Sequence, residues 1–206
     1  MAQPAIAYPE PAPPPARGDE FVVLRPATWA DYQRCLEIRG ERAVPRLTYL
    51  QGVLELMTPS HTHETIKSMI GCLVEAWCFE NEVEITPSGS WTLESKESER
   101  GAEPDECYVL GDVAAPQRPD LAIEVIWTSG SLNKLEIYRK LGVQEVWIWR
   151  NRQLQVFTLG ADENYTEIER SQLLPGIDLA QLLTFVDTRP MTRAVTEYRA
   201  ALRGAR

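Results

Sequence analysis

The sequence predicts an α/β fold in which helices flank a mixed central sheet. Residues 120–127 and 145–150 are apolar runs typical of buried strands, and residues 131–141 between them have a helical pattern that ends before Gly142. A helix that crosses between two strands of one sheet makes those strands parallel. Because the chain has 206 residues, 44% of them hydrophobic, it can bury one substantial core. We therefore expect a single domain over residues 21–206.

The first twenty residues predict a disordered leader. They read MAQPAIAYPEPAPPPARGDE. Repeated prolines remove backbone donors, and too few bulky apolar groups remain to form a core.

An added helix and hairpin are expected before the central sheet. Residues 28–39 predict a helix with Thr28 as its N-cap. Residues 47–57 predict a β-hairpin that turns at Gln51-Gly52, where glycine supplies the positive φ of a tight turn.

The most regular helical pattern covers residues 61–80, directly after Pro59 and Ser60. Its apolar stripe comprises Ile66, Met69, Ile70, Leu73, Val74 and Trp77. Further strands are expected at 83–85, 91–93, 105–110, 154–159 and 165–169. Residues 94–103 are polar and predict a solvated loop, with the border of a substrate groove as the alternative.

The C-terminal tail concentrates arginines, namely Arg189, Arg193, Arg199, Arg203 and Arg206. We interpret the tail as a solvated amphipathic helix that packs through Val195, Tyr198 and Leu202.

Charge and cysteine content narrow the class of protein. The formal net charge of −9 argues against a broad surface that coats nucleic acid, although a local basic face can coexist with it. Four cysteines show no CxxC pair, so we expect reduced thiols in a cytoplasmic protein. No run of eighteen apolar residues and no secretory pattern is present, so we expect neither membrane insertion nor export.

The most informative residues are acids inside apolar strands, because an ionised carboxylate is costly to bury unless it is paired or bound to metal. Glu124 shares a strand face with Asp120, Ala122 and Ile126. Asp120 lies roughly 13 Å away along the strand, too far to share an ion, whereas Asp105 on a neighbouring strand would lie about 4.8 Å away. Such a pair of carboxylates suits Mg²⁺. The alternative is that Asp105 begins a turn and Glu124 is a salt-bridged core acid.

Other reactive residue types are less informative. The two histidines, His61 and His63, lack the HExxH spacing of a zinc helix, and we interpret His63 as a polar cap or surface group, with a phosphate pocket as the alternative. Trp127, Trp147 and Trp149 lie in predicted strands, so we expect them to pack in the core or at the sheet edge rather than to stack on bases.

Several motifs together resemble the Uma-type endonuclease family, formerly a domain of unknown function, within the PD-(D/E)XK restriction-endonuclease-like superfamily. They are Pro104-Asp105, Pro119-Asp120-Leu121-Ala122-Ile123-Glu124-Val125, Lys134-Leu135-Glu136-Ile137-Tyr138 and Gly142-Val143-Gln144-Glu145-Val146-Trp147. Upstream, Tyr49 to Gly52, Met57 to Ser60 and His63-Glu64 look like the family's entry hairpin and first core helix. The resemblance spans about residues 28–186 and implies a restriction-endonuclease-like sheet.

The resemblance also implies a set of site residues. Asp105 and Glu124 would be the metal ligands, and Glu64 a third acid near the metal. The superfamily's lysine usually stands two residues after the second acid, a position held here by Ile126. The resemblance implies that this lysine has moved to Lys134, with Lys140 as a weaker substitute.

A physical argument bears on Lys134 as well. A cation near a helix N-terminus opposes the helix dipole, so another group should favour it there. The alternative is a solvated lysine, or one paired with Glu136 or another nearby acid.

These points predict a Mg²⁺- or Mn²⁺-dependent DNA endonuclease, which we expect to act as a homodimer. The displaced lysine and the acidic charge leave one alternative open, a catalytically inactive nuclease-fold module that binds nucleic acid or protein. A carboxylate-pair glycosidase fits poorly, because the resemblance and the nearby lysine indicate phosphate chemistry.

Overall fold

The computed structural model describes residues 18–89, 91–127 and 132–204. Within these residues the strands are β1 Glu20–Leu24, β2 Arg46–Leu50, β3 Val53–Thr58, β4 Ile85–Pro87, β5 Leu93–Ser95, β6 Arg100–Ala102, β7 Glu106–Leu110, β8 Leu121–Val125, β9 Glu145–Arg150, β10 Gln153–Leu159 and β11 Tyr165–Ile168. The helices are α1 Trp29–Arg39, α2 His61–Glu80, α3 Lys134–Leu141, α4 Leu179–Leu183 and α5 Met191–Gly204.

The strands form two sheets. One is a five-stranded antiparallel sheet in the order β1-β3-β2-β6-β5, which contains the predicted hairpin. The other has six strands in the order β11-β10-β9-β8-β7-β4. In it β8 and β9 are parallel and α3 connects them, which confirms the predicted mixed sheet with a crossover helix.

Alternation along β8 divides the core between the two faces of the six-stranded sheet. Leu121, Ile123 and Val125 belong to the cluster that contains the α2 stripe and Tyr198 of α5. Ala122 packs on the other face with Ile137 of α3. The sheet therefore lies between α2 and α5 on one side and α3 on the other.

Local signals in the sequence explain several element boundaries. Thr28 and Asp31 form a capping box at the start of α1, and the Ser60 side chain accepts a hydrogen bond from the backbone N–H of His63 at the start of α2. The hairpin turns through Gln51 and Gly52, both at positive φ. These predictions are confirmed.

The segment 94–103, predicted as a solvated loop, is instead part of the hairpin of β5 and β6. Two of its charged residues, Arg100 and Glu103, are buried because they have partners. The Glu103 carboxylate accepts hydrogen bonds from the Leu47 backbone N–H at 2.9 Å and from the Arg39 guanidinium at 2.6 Å. The prediction failed because local polarity does not reveal pairing with distant residues.

Smaller differences concern element ends. The helix predicted over 131–141 begins at Lys134, where the Asn133 side chain accepts hydrogen bonds from two backbone N–H groups; Ser131 lies outside the described residues. The strands predicted at 83–85 and 91–93 lie about two residues later, and β1 and α4 were not predicted. Residues 1–17 of the expected leader lie outside the described residues, whereas Glu20 begins β1.

Other predictions concern α5 and the cysteines. In α5 the Tyr198 side chain is buried and Val195 and Leu202 pack against the core, as predicted; Arg206 lies outside the described residues. All four cysteines are free thiols. No helix within the described residues is long and apolar enough to cross a membrane.

Candidate active site

A pocket opens where the two sheets meet. The five-stranded sheet contributes Arg46 and Thr48 of β2. The six-stranded sheet contributes Glu124 near the end of β8, and the helices α2 and α3 contribute His63 and Lys134.

Strand pairing places Asp105 beside Glu124. The strands β7 and β8 are antiparallel with Glu106 opposite Ile123, so Asp105, directly before β7, faces the Glu124 position. The Val125 backbone N–H donates to Asp105 Oδ2 at 2.6 Å. Both acids are almost fully buried, at 1% and 3% exposure. The structure thus brings together the two acids that the strand pattern singled out.

Asp105 also contacts two basic side chains. Its Oδ1 lies 2.9 Å from His63 Nε2 and forms an ion pair with Arg46 Nη1. Arg46 is itself buried. Removing Arg46 would therefore leave the buried Asp105 carboxylate without its permanent cation.

His63 bridges two buried carboxylates. Its Nδ1 lies 3.0 Å from Asp19 Oδ2, and its Nε2 faces Asp105. Burial alone would raise the pKa of Asp19, but hydrogen bonds from His63 and the Ser60 backbone N–H bring the pKa below its ordinary value. The interpretation of His63 as a cap or surface group is therefore wrong, because its side chain is buried within the site.

Two donors from α3 hold Glu124. The Tyr138 hydroxyl donates to Glu124 Oε1, and Lys134 Nζ lies 3.5 Å from the same oxygen. Burial raises the pKa of Tyr138 well above its usual range, so the phenol stays protonated and donates. Residues 134 and 138 are one turn apart, which places both side chains on the same face of α3.

The position of Lys134 now has a physical explanation. It is the first residue of α3, where the helix dipole disfavours a cation. The contact with Glu124 and a hydrogen bond from Nζ to Thr48 Oγ1 at 3.1 Å compensate. Glu136, the alternative partner, pairs with Arg100 and Arg139 instead.

The other two predicted site residues lie farther from Glu124. Glu64 Oε1 lies 2.8 Å from Arg46 Nη2, so the Arg46 guanidinium lies between Glu64 and Asp105. Lys140 pairs with Glu163 at the surface. The structure therefore brings Glu64 to the site through Arg46 and does not bring Lys140.

The donors present fit a hard divalent cation with few protein ligands. Asp105 and Glu124 offer carboxylate oxygens, and Mg²⁺ often binds through one or two carboxylates while keeping several waters. Across the described residues no group of three or more histidine, cysteine, aspartate or glutamate side chains is arranged to hold a metal. A cation on Asp105 Oδ1 would have to displace the Arg46 guanidinium or share that oxygen with it.

Sequence reasoning missed four residues of the site. Arg46 is the first residue of β2, where a charged side chain is usually exposed, so the strand pattern carried no signal of its burial. Tyr138 stands four residues after Lys134, a spacing that indicates a shared helix face. Thr48 follows Arg46 at a strand spacing of two, and Asp19 lies in a segment whose prolines predicted disorder.

Comparison with known proteins identifies the family. A family model, Uma2, described as "Putative restriction endonuclease", matches residues 29–190. The chain belongs to the Uma2 family. A search of curated proteins found no match.

The fold comparison agrees with the membership in Uma2. The chain is similar to the crystal structure of "a putative nuclease belonging to DUF820" from Anabaena variabilis, with a TM-score of 0.50 and 12% sequence identity. The match covers 73% of this chain and 96% of that one. At this identity the likeness concerns the fold, and it confirms the predicted restriction-endonuclease-like class. This chain thus belongs to a family described as "Putative restriction endonuclease" and has a restriction-endonuclease-like fold.

Proposed function

We propose that this Uma2 chain is a metal-dependent endonuclease that hydrolyses phosphodiester bonds in DNA with Mg²⁺ or Mn²⁺. One observation carries the proposal. Two buried carboxylates, Asp105 and Glu124, face each other across neighbouring strands, and Lys134 Nζ lies 3.5 Å from Glu124 in an open pocket. The family description supports the same chemistry.

Asp105 and Glu124 would hold the cation. When bound, it would lower the pKa of a water molecule and neutralise the charge that develops on the phosphate. Tyr138 fixes Glu124 through its hydroxyl, and the Val125 N–H fixes Asp105. Both carboxylates are therefore oriented by neighbours before a cation arrives.

Lys134 would orient the attacking water or stabilise the phosphate. Thr48 Oγ1 and Glu124 hold its ammonium group at the pocket wall. Glu64 would support the site as a third acid, acting through the Arg46 guanidinium that it contacts.

Local charge makes a phosphate substrate compatible with the acidic chain. Arg46, Lys134 and Arg150 all line the pocket, although the chain as a whole carries a formal charge of −9. Asp19, Glu55 and Glu124 line the same pocket and balance these charges, so a bound divalent cation would supply the net positive charge for a phosphate. Free thiols support a reducing compartment such as the cytoplasm. The resemblance implies a homodimer, which sedimentation would test.

The test is nicking of supercoiled plasmid in Mg²⁺ or Mn²⁺ by the wild type and by Asp105→Asn, Glu124→Gln and Lys134→Ala. Lys140→Ala is the matched control. It removes another lysine of the same helix, and that lysine pairs with a surface glutamate instead of a site residue. We expect nicking by the wild type and the control only, and none in EDTA. Equal nicking by all variants would indicate a contaminating nuclease and overturn the proposal.

One observation favours the alternative of a catalytically inactive binding module. Both oxygens of Asp105 are already engaged, by His63 and Arg46 on one and by the Val125 N–H on the other. DNA binding that is independent of metal, together with no nicking by the wild type on any substrate form, would select this alternative.

A further inference from the structure

We propose that a groove beside the active site stacks an unpaired base of the DNA strand that is cut, which makes DNA with unpaired bases the preferred substrate. This tryptophan groove is lined by Trp127, Trp149, His61, Thr65, Arg152 and Arg189. The inference rests on the proposed function and specifies its substrate class.

An exposed aromatic ring is the first observation. Trp127 is 45% exposed, whereas Trp149, against which it stacks, is 4% exposed. The two ring centroids are 6.0 Å apart and the planes differ by 16°. The prediction that Trp127 packs in the core or at the sheet edge is therefore wrong in part, because much of its ring faces solvent. An exposed indole that stacks on a buried one on one side can stack a base on its other face.

The groove adjoins the active-site pocket along three segments of the chain. Val125, His63 and Arg150 line the pocket. The residues that line the groove, Trp127, His61 and Arg152, are each two positions away from one of them along the chain. Trp127 follows Glu124 by three residues, about 10 Å along an extended chain. Trp127 stacks on Trp149 on the α2 face of the sheet, whereas Glu124 contacts α3 on the other face, so a DNA strand that reaches both would have to pass over the end of β8.

The charge of the groove suits a phosphate next to that base. Arg189 is exposed, and among the described residues it forms no ion pair; its guanidinium donates to the backbone carbonyls of Val186 and Thr188. Arg152 is neutralised by an ion pair with Asp187. One uncompensated cation therefore remains beside the indole, and arginine is well suited to bind phosphate.

The geometry favours an unpaired base over a base inside a duplex. In duplex DNA both faces of each base are covered by neighbouring pairs, so a protein ring can stack only on a base that is unpaired or displaced. Stacking of this kind tolerates any sequence, because every base has a π-face. Single strands, frayed ends and branch points present such bases.

The test is fluorescence anisotropy of a labelled single-stranded oligonucleotide and of its duplex with the full chain in EDTA, where no cleavage occurs. We expect tighter binding of the single strand by the wild type. Trp127→Ala should weaken single-strand binding roughly five- to a hundredfold, the range for losing one stacked base, while Trp127→Phe retains most of the affinity. Arg189→Gln should lower the slope of log affinity against log salt by about one.

Matched controls remove the same groups elsewhere. Phe79→Ala deletes an aromatic ring that is 73% exposed at the other end of α2, about 27 Å from His61 at 1.5 Å per residue. Arg193→Gln removes an exposed arginine of α5. Neither should change binding, and urea unfolding should show all variants folded.

The outcomes separate this inference from the proposed function. If Trp127→Ala binds the single strand as tightly as the wild type while plasmid nicking persists, the base-stacking inference is overturned and the endonuclease stands. Equal affinity of the wild type for duplex and single strand also overturns the preference for unpaired bases. If the wild type binds neither form and nicks no substrate, both proposals fall.

Discussion

Replacing Arg46 by methionine tests the relation between the Asp105 carboxylate and a divalent cation. Arg46 is buried at 5% exposure, and its guanidinium joins Asp105 to Glu64. Methionine keeps much of the side-chain volume and removes the charge. Asp105 then retains His63 and the Val125 N–H but loses its permanent cation.

The expected magnitude follows from the burial of the pair. Removing one partner of a buried ion pair typically costs about 3–5 kcal/mol, because the remaining charge is uncompensated. A divalent cation can replace the missing charge, and at a hundredfold excess over its dissociation constant it contributes about 2.7 kcal/mol. In the wild type the same cation competes with Arg46 for Asp105, so the stabilisation that it adds should be smaller. We therefore expect Mg²⁺ to stabilise Arg46→Met more than the wild type.

The assay is urea unfolding of both proteins in EDTA and in millimolar Mg²⁺ or Mn²⁺. Arg39→Met is the matched control, because Arg39, the last residue of α1, pairs with Glu103, another buried carboxylate, directly after β6. The control should lose stability in EDTA without recovering it in the metal. A metal-dependent gain that is the same in the wild type, Arg46→Met and Arg39→Met would refute the reasoning. A loss below about 1 kcal/mol in EDTA would show that Asp105 does not depend on Arg46.

Three further predictions concern stability. Tyr138→Phe removes the hydroxyl that donates to the buried β8 carboxylate and should cost about 1.5–3 kcal/mol in urea unfolding; no loss would contradict that hydrogen bond. Hydrogen bonds from arginines of α5, of which Arg203 has the largest effect, lower the pKa of the Glu80 carboxyl group from 4.5 to about 2. Glu80 should therefore stabilise the fold above pH 4.5 and lose that contribution as the pH falls toward 2, and parallel stability curves for the wild type and Glu80→Gln would argue against this. A Cβ at Gly101 would overlap the buried Tyr32 ring, so Gly101→Ala should destabilise by about 1–3 kcal/mol, and an unchanged urea midpoint would be inconsistent with that packing.

The parts of the fold that the sequence predicted well are those specified by local signals. The bounds of α2 agree because a long apolar stripe follows a serine N-cap. The parallel pair of β8 and β9 follows from its helix crossover. The short strands β4, β5 and β6 were displaced or missed, because their pairing partners are set by the tertiary fold rather than by their own side chains. The start of α3 is at Lys134 because the Asn133 side chain caps the first turn of the helix.

The site residues that could be predicted from the sequence are charged residues at positions whose neighbours indicate burial. Glu124 stood out because it interrupts an apolar strand, and Asp105 because a neighbouring strand could bring it close. Arg46 stands at the first position of β2, so neither the strand pattern nor a motif indicated its burial or its partner. Asp19 had no signal at all, since the prolines before it predict disorder, and only the fold brings it to His63.

Because the pocket lies between two sheets, the contacts of its side chains depend on the packing of one sheet against the other. Asp105 and Glu124 belong to the six-stranded sheet, whereas Arg46 and Thr48 belong to the five-stranded one. If the smaller sheet separates locally, Asp105 loses its guanidinium partner and Lys134 its hydroxyl partner, while the larger core stays folded. Substitutions where the two sheets contact each other should therefore impair the site before they lower the global free energy of unfolding. Hydrogen exchange should detect the local separation of the smaller sheet as a unit that is less protected than the rest of the fold.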